Sequence, residues 1–116
     1  MLMVECTRYR VKEGMSSTVT EWLQFLNANM KDVLVTLEQE KMYVETIFRE
    51  VSNGQEFLYW YSVRGQGGID VDDSDHWIDR KHLEYWDACI DSTYRPVDLE
   101  TEVIMIPKKV QNAMVD

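Results

Sequence analysis

The sequence has few cysteines, few basic residues and no long apolar run, and each shortage excludes a class of protein. Its two cysteines, Cys6 and Cys89, both lie in apolar-rich segments, which indicates reduced, buried thiols rather than a disulfide framework. Lysine and arginine total 12 against 21 aspartates and glutamates, giving a net charge of −9. The basic surface that binds nucleic acid or an anionic membrane is therefore not expected. No apolar run approaches the roughly 20 residues of a membrane-spanning helix.

The composition that remains is that of one globular domain. Of the 116 residues, 45% are hydrophobic and 28% are charged, which is typical of a folded chain long enough to bury a core without metal or disulfides. The first ten residues become charged too early for a signal peptide. We therefore expect a cytoplasmic protein with a single domain over residues 1–107 and a C-terminal tail over residues 108–116.

An Asn-Gly pair at residues 53 and 54 is the sharpest local signal. It separates two segments, 42–51 and 56–64, that are rich in strand-forming residues, and such a pair predicts a type I′ hairpin. With Asn53 and Gly54 as the central residues, Ser52 lies opposite Gln55. This register places Ile47 opposite Trp60.

The same register sorts the hairpin side chains into two faces, because side chains alternate along a strand. Val44, Phe48 and Val63 share one face, and we expect helices to cover it. The other face is expected to be open and carries a large apolar patch. That patch is predicted to contain Met3, Ile47, Leu58 and Trp60, with Ile104 and Ile106 of the last strand.

Apolar residues at three- and four-residue spacing predict one long amphipathic helix between residues 18 and 37. Its expected buried stripe is Val19, Trp22, Leu23, Leu26, Met30, Val33, Leu34 and Leu37. A second helix is predicted over about 75–92, and strands over 1–11 and about 97–106. The resulting order is β-α-β-β-α-β with a four-stranded antiparallel sheet, which is the ferredoxin-like α+β arrangement.

The stretch GQGGIDVDDSDHW at residues 65–77 is the most motif-like segment. Counted as a calcium-binding loop, it offers Asp70, Asp72 and Ser74 as oxygen ligands, but Lys81 occupies the position of the chelating glutamate. The glycines are better explained as a turn, with Asp73 or Ser74 capping the helix that follows. We therefore expect no metal site here. The chain also lacks the HExxH, CxxC and GxSxG patterns.

The candidate functional residues lie on the sheet and on the second helix. Carboxylates beside aromatic rings in a cleft can acquire raised pKa values and act as acids or bases. Equally, these charges could form salt bridges in a dimer interface, and the histidine could be a hydrogen-bonded core residue. The catalytic candidates are His82, Glu45 and Glu5, and the ligand-binding candidates are Trp60, Tyr43, Arg49 and Tyr9.

The chain resembles the dimeric α/β-barrel superfamily, which includes antibiotic-biosynthesis-type, haem-degrading and stress-responsive members. The stretches EWLQFLNANMKDVLVTLEQEKMYVETIF and DHWIDRKHLEYWDACIDSTYRPVDLE are similar to a bacterial family of uncharacterised conserved domains. The resemblance implies two sheets packed face to face in a homodimer. Haem-degrading members use an Asn on the first strand, whereas this strand offers Glu5 and Thr7, so the resemblance does not extend to haem degradation and no cofactor is expected.

Three classes of function fit these observations. The first, which we favour, is a homodimeric barrel protein that binds a small molecule in a cleft on the sheet. The second is a cofactor-independent monooxygenase or isomerase, and the third is a non-catalytic structural or interaction module. A cleft beside Trp60, Tyr43 and His82 favours the first two classes. A sheet face filled by partner side chains favours the third.

Overall fold

The computed structural model of the chain describes residues 2–114. In this range the protein is an α+β fold with a four-stranded antiparallel sheet in the order β2-β3-β1-β4. None of the helices in the range is long and apolar enough to cross a membrane. The strands are β1 (Met3–Arg10), β2 (Met42–Ser52), β3 (Gln55–Arg64) and β4 (Val97–Asp98), and the helices are α1 (Ser16–Ala28), α2 (Met30–Gln39), α3 (Trp77–Cys89) and α4 (Lys108–Ala113).

The predicted hairpin register between β2 and β3 is confirmed. Ser52 pairs with Gln55 and Ile47 pairs with Trp60. Asn53 and Gly54 have φ angles of 51° and 76°, the positive values that both central residues of a type I′ turn require. The pairing shifts register only near the start of β2, between residues 42 and 44.

The prediction of which sheet face the helices cover is wrong. Leu58 is fully buried and Trp60 packs against Trp22 of α1, whereas Phe48 is 55% exposed. Alternation along a strand fixes which side chains share a face but not which face is covered. We call the covered side the inner face, defined by Tyr9, Glu45, Ile47, Leu58 and Trp60, and the opposite side the outer face, defined by Arg8, Phe48, Phe57, Tyr59 and Val63.

The core lies between the inner face and the helices. It is built on Val11, Val19, Trp22, Leu58, Cys89 and Ile90. Both cysteines are free; Cys89 is buried as expected, and Cys6 is only partly buried. Val63 is also buried, although it lies on the outer face. It belongs to the central strand β3, and valines of both neighbouring strands stand opposite it.

The predicted long helix is two helices, α1 and α2, interrupted at Asn29. Asn29 has φ −116° and ψ 31°, and its side-chain amide donates to the carbonyl oxygen of Phe25 at 2.8 Å. A short polar side chain that bonds the local backbone competes with helix continuation. Of the predicted buried stripe, Val19 and Trp22 are fully buried, and beyond the break Val33 and Leu37 are partly buried. Met30 and Leu34 are exposed.

The helix predicted over 75–92 is α3, and its N-cap is neither Asp73 nor Ser74. The cap is His76, whose Nδ1 accepts from the backbone N–H of Ile78 at 3.2 Å. Ser74 lies two residues before this cap, and its Oγ accepts a hydrogen bond from the backbone N–H of His76. Residues 71–73 form a single turn of 3₁₀ helix that separates the glycine loop from α3.

The last strand is much shorter than the predicted 97–106. Only Val97 and Asp98 pair regularly with β1, followed by one backbone bond from the N–H of Leu99 to the carbonyl oxygen of Cys6. The chain then continues as an exposed segment, in which Ile104 is 52% and Met105 is 85% exposed. We call residues 99–107 the C-terminal arm. Ile104 and Ile106 therefore lie outside the sheet, and part of the segment expected as a tail forms α4.

Candidate functional site

Beside the core, a cavity of about 770 Å³ lies between part of the inner face and helices α1, α2 and α3. Exposed Met30 and Leu34 line its α2 side, so the cavity opens to solvent past that helix. Its volume lies in the range of small-molecule sites, about 300–1,000 Å³. The apolar part of its wall includes Leu23, Leu26, Val33, Leu37, Ile47 and Leu83.

Aromatic rings line the sheet side of the cavity. Trp60 of β3 and Trp86 of α3 pack edge to face with ring centroids 5.3 Å apart. Tyr9 of β1 meets Trp86 at 4.7 Å in the same manner. Such contacts hold large rings in fixed orientations. The site therefore has a rigid aromatic wall, of which the sequence predicted Trp60 and Tyr9.

Glu45 lies on β2, in the same wall. One of its carboxylate oxygens accepts a 2.9 Å hydrogen bond from the indole N–H of Trp60. Burial raises the pKa of Glu45, the hydrogen bond from Trp60 opposes that shift, and the negative charge of Asp79 adds to it. Glu45 is thus a partly buried acidic group that is held in place by an aromatic residue of the same cavity.

His82 lies on α3 and faces α1. Its Nδ1 accepts a 3.0 Å hydrogen bond from the indole N–H of Trp22. Burial lowers the pKa of His82 to about 4, although Asp79 acts in the opposite direction. The ring is therefore neutral at physiological pH, and because Nδ1 accepts, its proton resides on Nε2. This bond explains His82 as a packed residue of the cavity wall, which was one of the two sequence interpretations.

Among the acidic residues of the cavity that are not site candidates from the sequence, Glu40 and Asp79 are the two that are removed from solvent. Burial raises the pKa of Glu40 to about 7, with smaller contributions from Glu45, Asp79 and Asp70. Asp79 is only 5% exposed, and its Oδ2 has no hydrogen-bond partner within residues 2–114. The spacing of Asp79 three residues before His82 places both on one helix face and could have indicated it. No comparable signal existed for Glu40.

The charge lining the cavity is of one sign. Within residues 2–114, no lysine or arginine lines it. Five carboxylate side chains do so, from the end of α2, from β2, from the turn before α3 and from α3 itself: Glu40, Glu45, Asp72, Asp79 and Asp87. Polar groups in a partly closed site interact more strongly than in water. The cavity therefore has an acidic lining beside its aromatic wall.

Three of the predicted site residues lie away from the cavity. Arg49 pairs with Glu56 at 2.7 Å and donates to the backbone carbonyl oxygen of Ser16, so it anchors the start of α1. Glu5 pairs with Arg64 at 3.0 Å, where both are exposed. The ring of Tyr43 lies against Gly65 at the start of the glycine loop. The structure thus brings together Tyr9, Glu45, Trp60 and His82, and separates them from Glu5, Tyr43 and Arg49.

The acidic loop does not form a cluster of metal ligands. Within residues 2–114, no group of three or more histidine, cysteine, aspartate or glutamate side chains could hold a metal ion. Ser74, one of the three oxygens considered from the sequence, is buried and bonded to the backbone of α3. The loop instead closes against the end of α2, where the backbone N–H of Ile69 donates to the carbonyl oxygen of Gln39 at 3.0 Å.

Comparison with known proteins extends the description without supplying a function. A search of curated proteins finds no match. A family model matches residues 2–112, which is nearly the whole chain and includes every residue of the cavity. The chain belongs to this family, described as a family of unknown function (DUF6176).

Proposed function

We propose that the protein binds a compact small molecule in the cavity between the sheet and helices α1, α2 and α3. The observation that carries this proposal is the cavity itself, which combines an aromatic wall with fixed polar groups and an opening to solvent. Apolar pockets with a few convergent polar groups and perturbed pKa values are typical of ligand sites. A cavity of about 770 Å³ lined by packed rings is far larger than a packing defect in a protein interior.

The test is a thermal-shift and calorimetric screen of a metabolite panel against a matched pair of variants. Val33→Phe fills the cavity, because Val33 lines it. Val35→Phe makes the same change on the same helix at a position that is 47% exposed and does not line the cavity. A ligand at one hundred times its Kd should stabilise wild type by about 2.7 kcal/mol.

We expect Val33→Phe to abolish that stabilisation and Val35→Phe to retain it. A panel in which no compound stabilises wild type would overturn the proposal. Stabilisation that survives in Val33→Phe would place the ligand elsewhere and overturn it equally.

A second candidate function is a cofactor-independent isomerase or monooxygenase, and Glu45 favours it. A buried carboxyl group with a raised pKa is suited to accept and return a proton. His82 is less suited, because its lowered pKa makes it a weak base at neutral pH. Glu45→Gln keeps an acceptor for the Trp60 N–H, so it should retain the fold and the shape of the cavity and abolish turnover. Turnover that persists in this variant would exclude Glu45 as the base.

We also propose that the fold is ferredoxin-like and that two copies pair through the outer face to form an α/β barrel. The position of β1 and β3 at the centre of the sheet supports the first part. Exposed apolar side chains support the second, namely Phe48 on the outer face and Val103, Ile104 and Met105 on the C-terminal arm. A two-fold dimer is the commonest way to bury a self-complementary patch. Sedimentation as a monomer at micromolar concentration would overturn this assembly.

A further inference from the structure

Asp79 lines the cavity and carries a buried carboxylate oxygen that has no hydrogen-bond donor within residues 2–114. Its side chain belongs to the first turn of α3 and is 95% removed from solvent, given its 5% exposure. Its Oδ2 is buried and finds no donor within residues 2–114. A buried oxygen left without a donor costs about 1–3 kcal/mol, and more when it is charged. A ligand that supplies the missing donor would remove this cost.

The side chains around Asp79 favour a positively charged donor over a neutral or negatively charged one. Glu40 and Glu45 line the same cavity, and within residues 2–114 no lysine or arginine does. Burial is the main cause of the raised pKa values of both glutamates, and the negative charge of Asp79 adds to both, so negative charge at one of these groups disfavours negative charge at the others. A bound cation relieves this repulsion, whereas an anion increases it.

The aromatic wall favours the same ligand. Trp60 and Trp86 lie at the cavity surface beside the carboxyl groups. A cation over the face of an indole ring gains about 0.5–2 kcal/mol, depending on how fully it is desolvated. Aromatic rings together with carboxylates are a general solution for recognising an ammonium group that carries an apolar substituent.

We propose that the ligand of this cavity is an organic cation, a protonated primary or secondary amine with an aromatic or aliphatic body, whose N–H groups donate to Asp79. This inference rests on the proposed function and specifies its ligand class. A primary or secondary ammonium fits better than a quaternary one, because only the former offers the donor that Oδ2 lacks. The apolar walls from α1, α2 and β2 accommodate the body of the amine.

The test compares three molecules of nearly the same shape and different charge. They are 2-phenylethylamine, the neutral 2-phenylethanol and the anionic 3-phenylpropanoate. Binding is followed by quenching of tryptophan fluorescence in a Trp77→Phe background, because Trp77 is 51% exposed and outside the cavity. The remaining signal comes from Trp22, Trp60 and Trp86, which pack on one another.

Two variants and two controls locate the binding charge. Asp79→Asn removes the unpartnered carboxylate, and Glu45→Gln removes a second charge while keeping an acceptor for Trp60. Asp75→Asn removes the same charge at an exposed position outside the cavity. Val33→Phe fills the cavity. Thermal melts of each variant establish that it is folded.

We expect saturable binding of the amine, at least about tenfold weaker binding of the alcohol, and no binding of the carboxylate. Asp79→Asn should weaken binding of the amine by about tenfold or more, so that the amine and the alcohol bind with similar affinity. Asp75→Asn should leave the affinity for the amine unchanged. If the alcohol or the carboxylate binds as tightly as the amine and Val33→Phe abolishes that binding, the cation inference is wrong and the binding function stands. If no probe binds at millimolar concentration, the amine inference is overturned, and the metabolite panel decides the function separately.

Discussion

The indole N–H of Trp22 donates to Nδ1 of His82 across 3.0 Å, joining α1 to α3 beside the cavity. Trp22 is fully buried, and its ring also lies 5.7 Å from that of Trp60. The hydrogen bond therefore joins the two helices, and the ring contact between Trp22 and Trp60 joins them to the inner face of the sheet. Because it uses the nitrogen that would otherwise accept a second proton, it stabilises only the neutral form of His82.

The state of His82 predicts that stability falls in acid. Burial lowers the pKa of His82 to about 4, from an ordinary value of 6.5. Between these pH values the unfolded chain binds more protons than the folded one, so the free energy of unfolding rises with pH. We expect a contribution on the order of 2–3 kcal/mol, complete above pH 6.5 and lost as the pH falls towards 4. Urea unfolding of wild type and His82→Asn across this range measures it. NMR titration of the ring near pH 6.5 would contradict the assignment.

Glu40 predicts a dependence of opposite sign. Its pKa is raised from 4.5 to about 7, chiefly by burial. The folded protein therefore holds this proton more tightly, and the contribution to stability, present below pH 4.5, is lost as the pH rises through 7. Since Glu40 is only about half buried, we expect on the order of 1 kcal/mol after allowing for solvent screening. Glu40→Gln should show a smaller fall in stability between pH 5 and pH 8 than wild type. Glu38→Gln, exposed on the same helix, is the control for the lost charge.

The hairpin could be predicted from the sequence because its determinants are local. An Asn-Gly turn fixes the register, and the register fixes which side chains share a face. The choice of covered face is not local. Both faces of this hairpin carry large apolar residues, and the choice depends on where α1 and α3 pack. For this reason the sequence pattern predicts the wrong face of the sheet as the one that the helices cover, and it exchanges the environments of Ile47 and Phe48.

The site was predictable only in part for a related reason. Tyr9, Glu45 and Trp60 lie on the same face of three paired strands, so the correct register places them close together. Asp79 and Glu40 reach the cavity only because α2 breaks away from α1 at Asn29 and the glycine loop closes against its end. The helical periodicity of the apolar residues, taken alone, predicts that α1 continues through this break.

The glycine loop predicts a strong effect of one methyl group. A Cβ on Gly68 would overlap the backbone carbonyl of Glu40. Overpacking against backbone costs about 1–3 kcal/mol, so we expect Gly68→Ala to lower the free energy of unfolding by this amount. Wild type is the reference, because the other glycine of this turn, Gly67, has a φ of +86° that would strain any side chain by itself. Equal stabilities of Gly68→Ala and wild type in urea titrations would refute the close approach.

The acidic loop is predicted not to respond to calcium. Lys81 occupies the position where a calcium loop requires a chelating glutamate. Thermal melts with millimolar calcium and with chelator should therefore coincide. A stabilisation of several degrees that the chelator removes would contradict this prediction.

The two faces of β2 predict opposite consequences for adjacent substitutions. Ile47 lies on the inner face and lines the cavity, so Ile47→Asp places an unpaired charge against the helices. We expect it to destabilise the fold by about 3 kcal/mol or more.

Phe48, the next residue, is 55% exposed on the outer face. Phe48→Asp should change the unfolding free energy of the monomer by less than about 1 kcal/mol, but it places like charges across the proposed two-fold interface. Urea unfolding and sedimentation velocity separate the two effects. A dimer that survives Phe48→Asp would move the interface off the outer face, and a stable Ile47→Asp protein would overturn the assignment of the covered face.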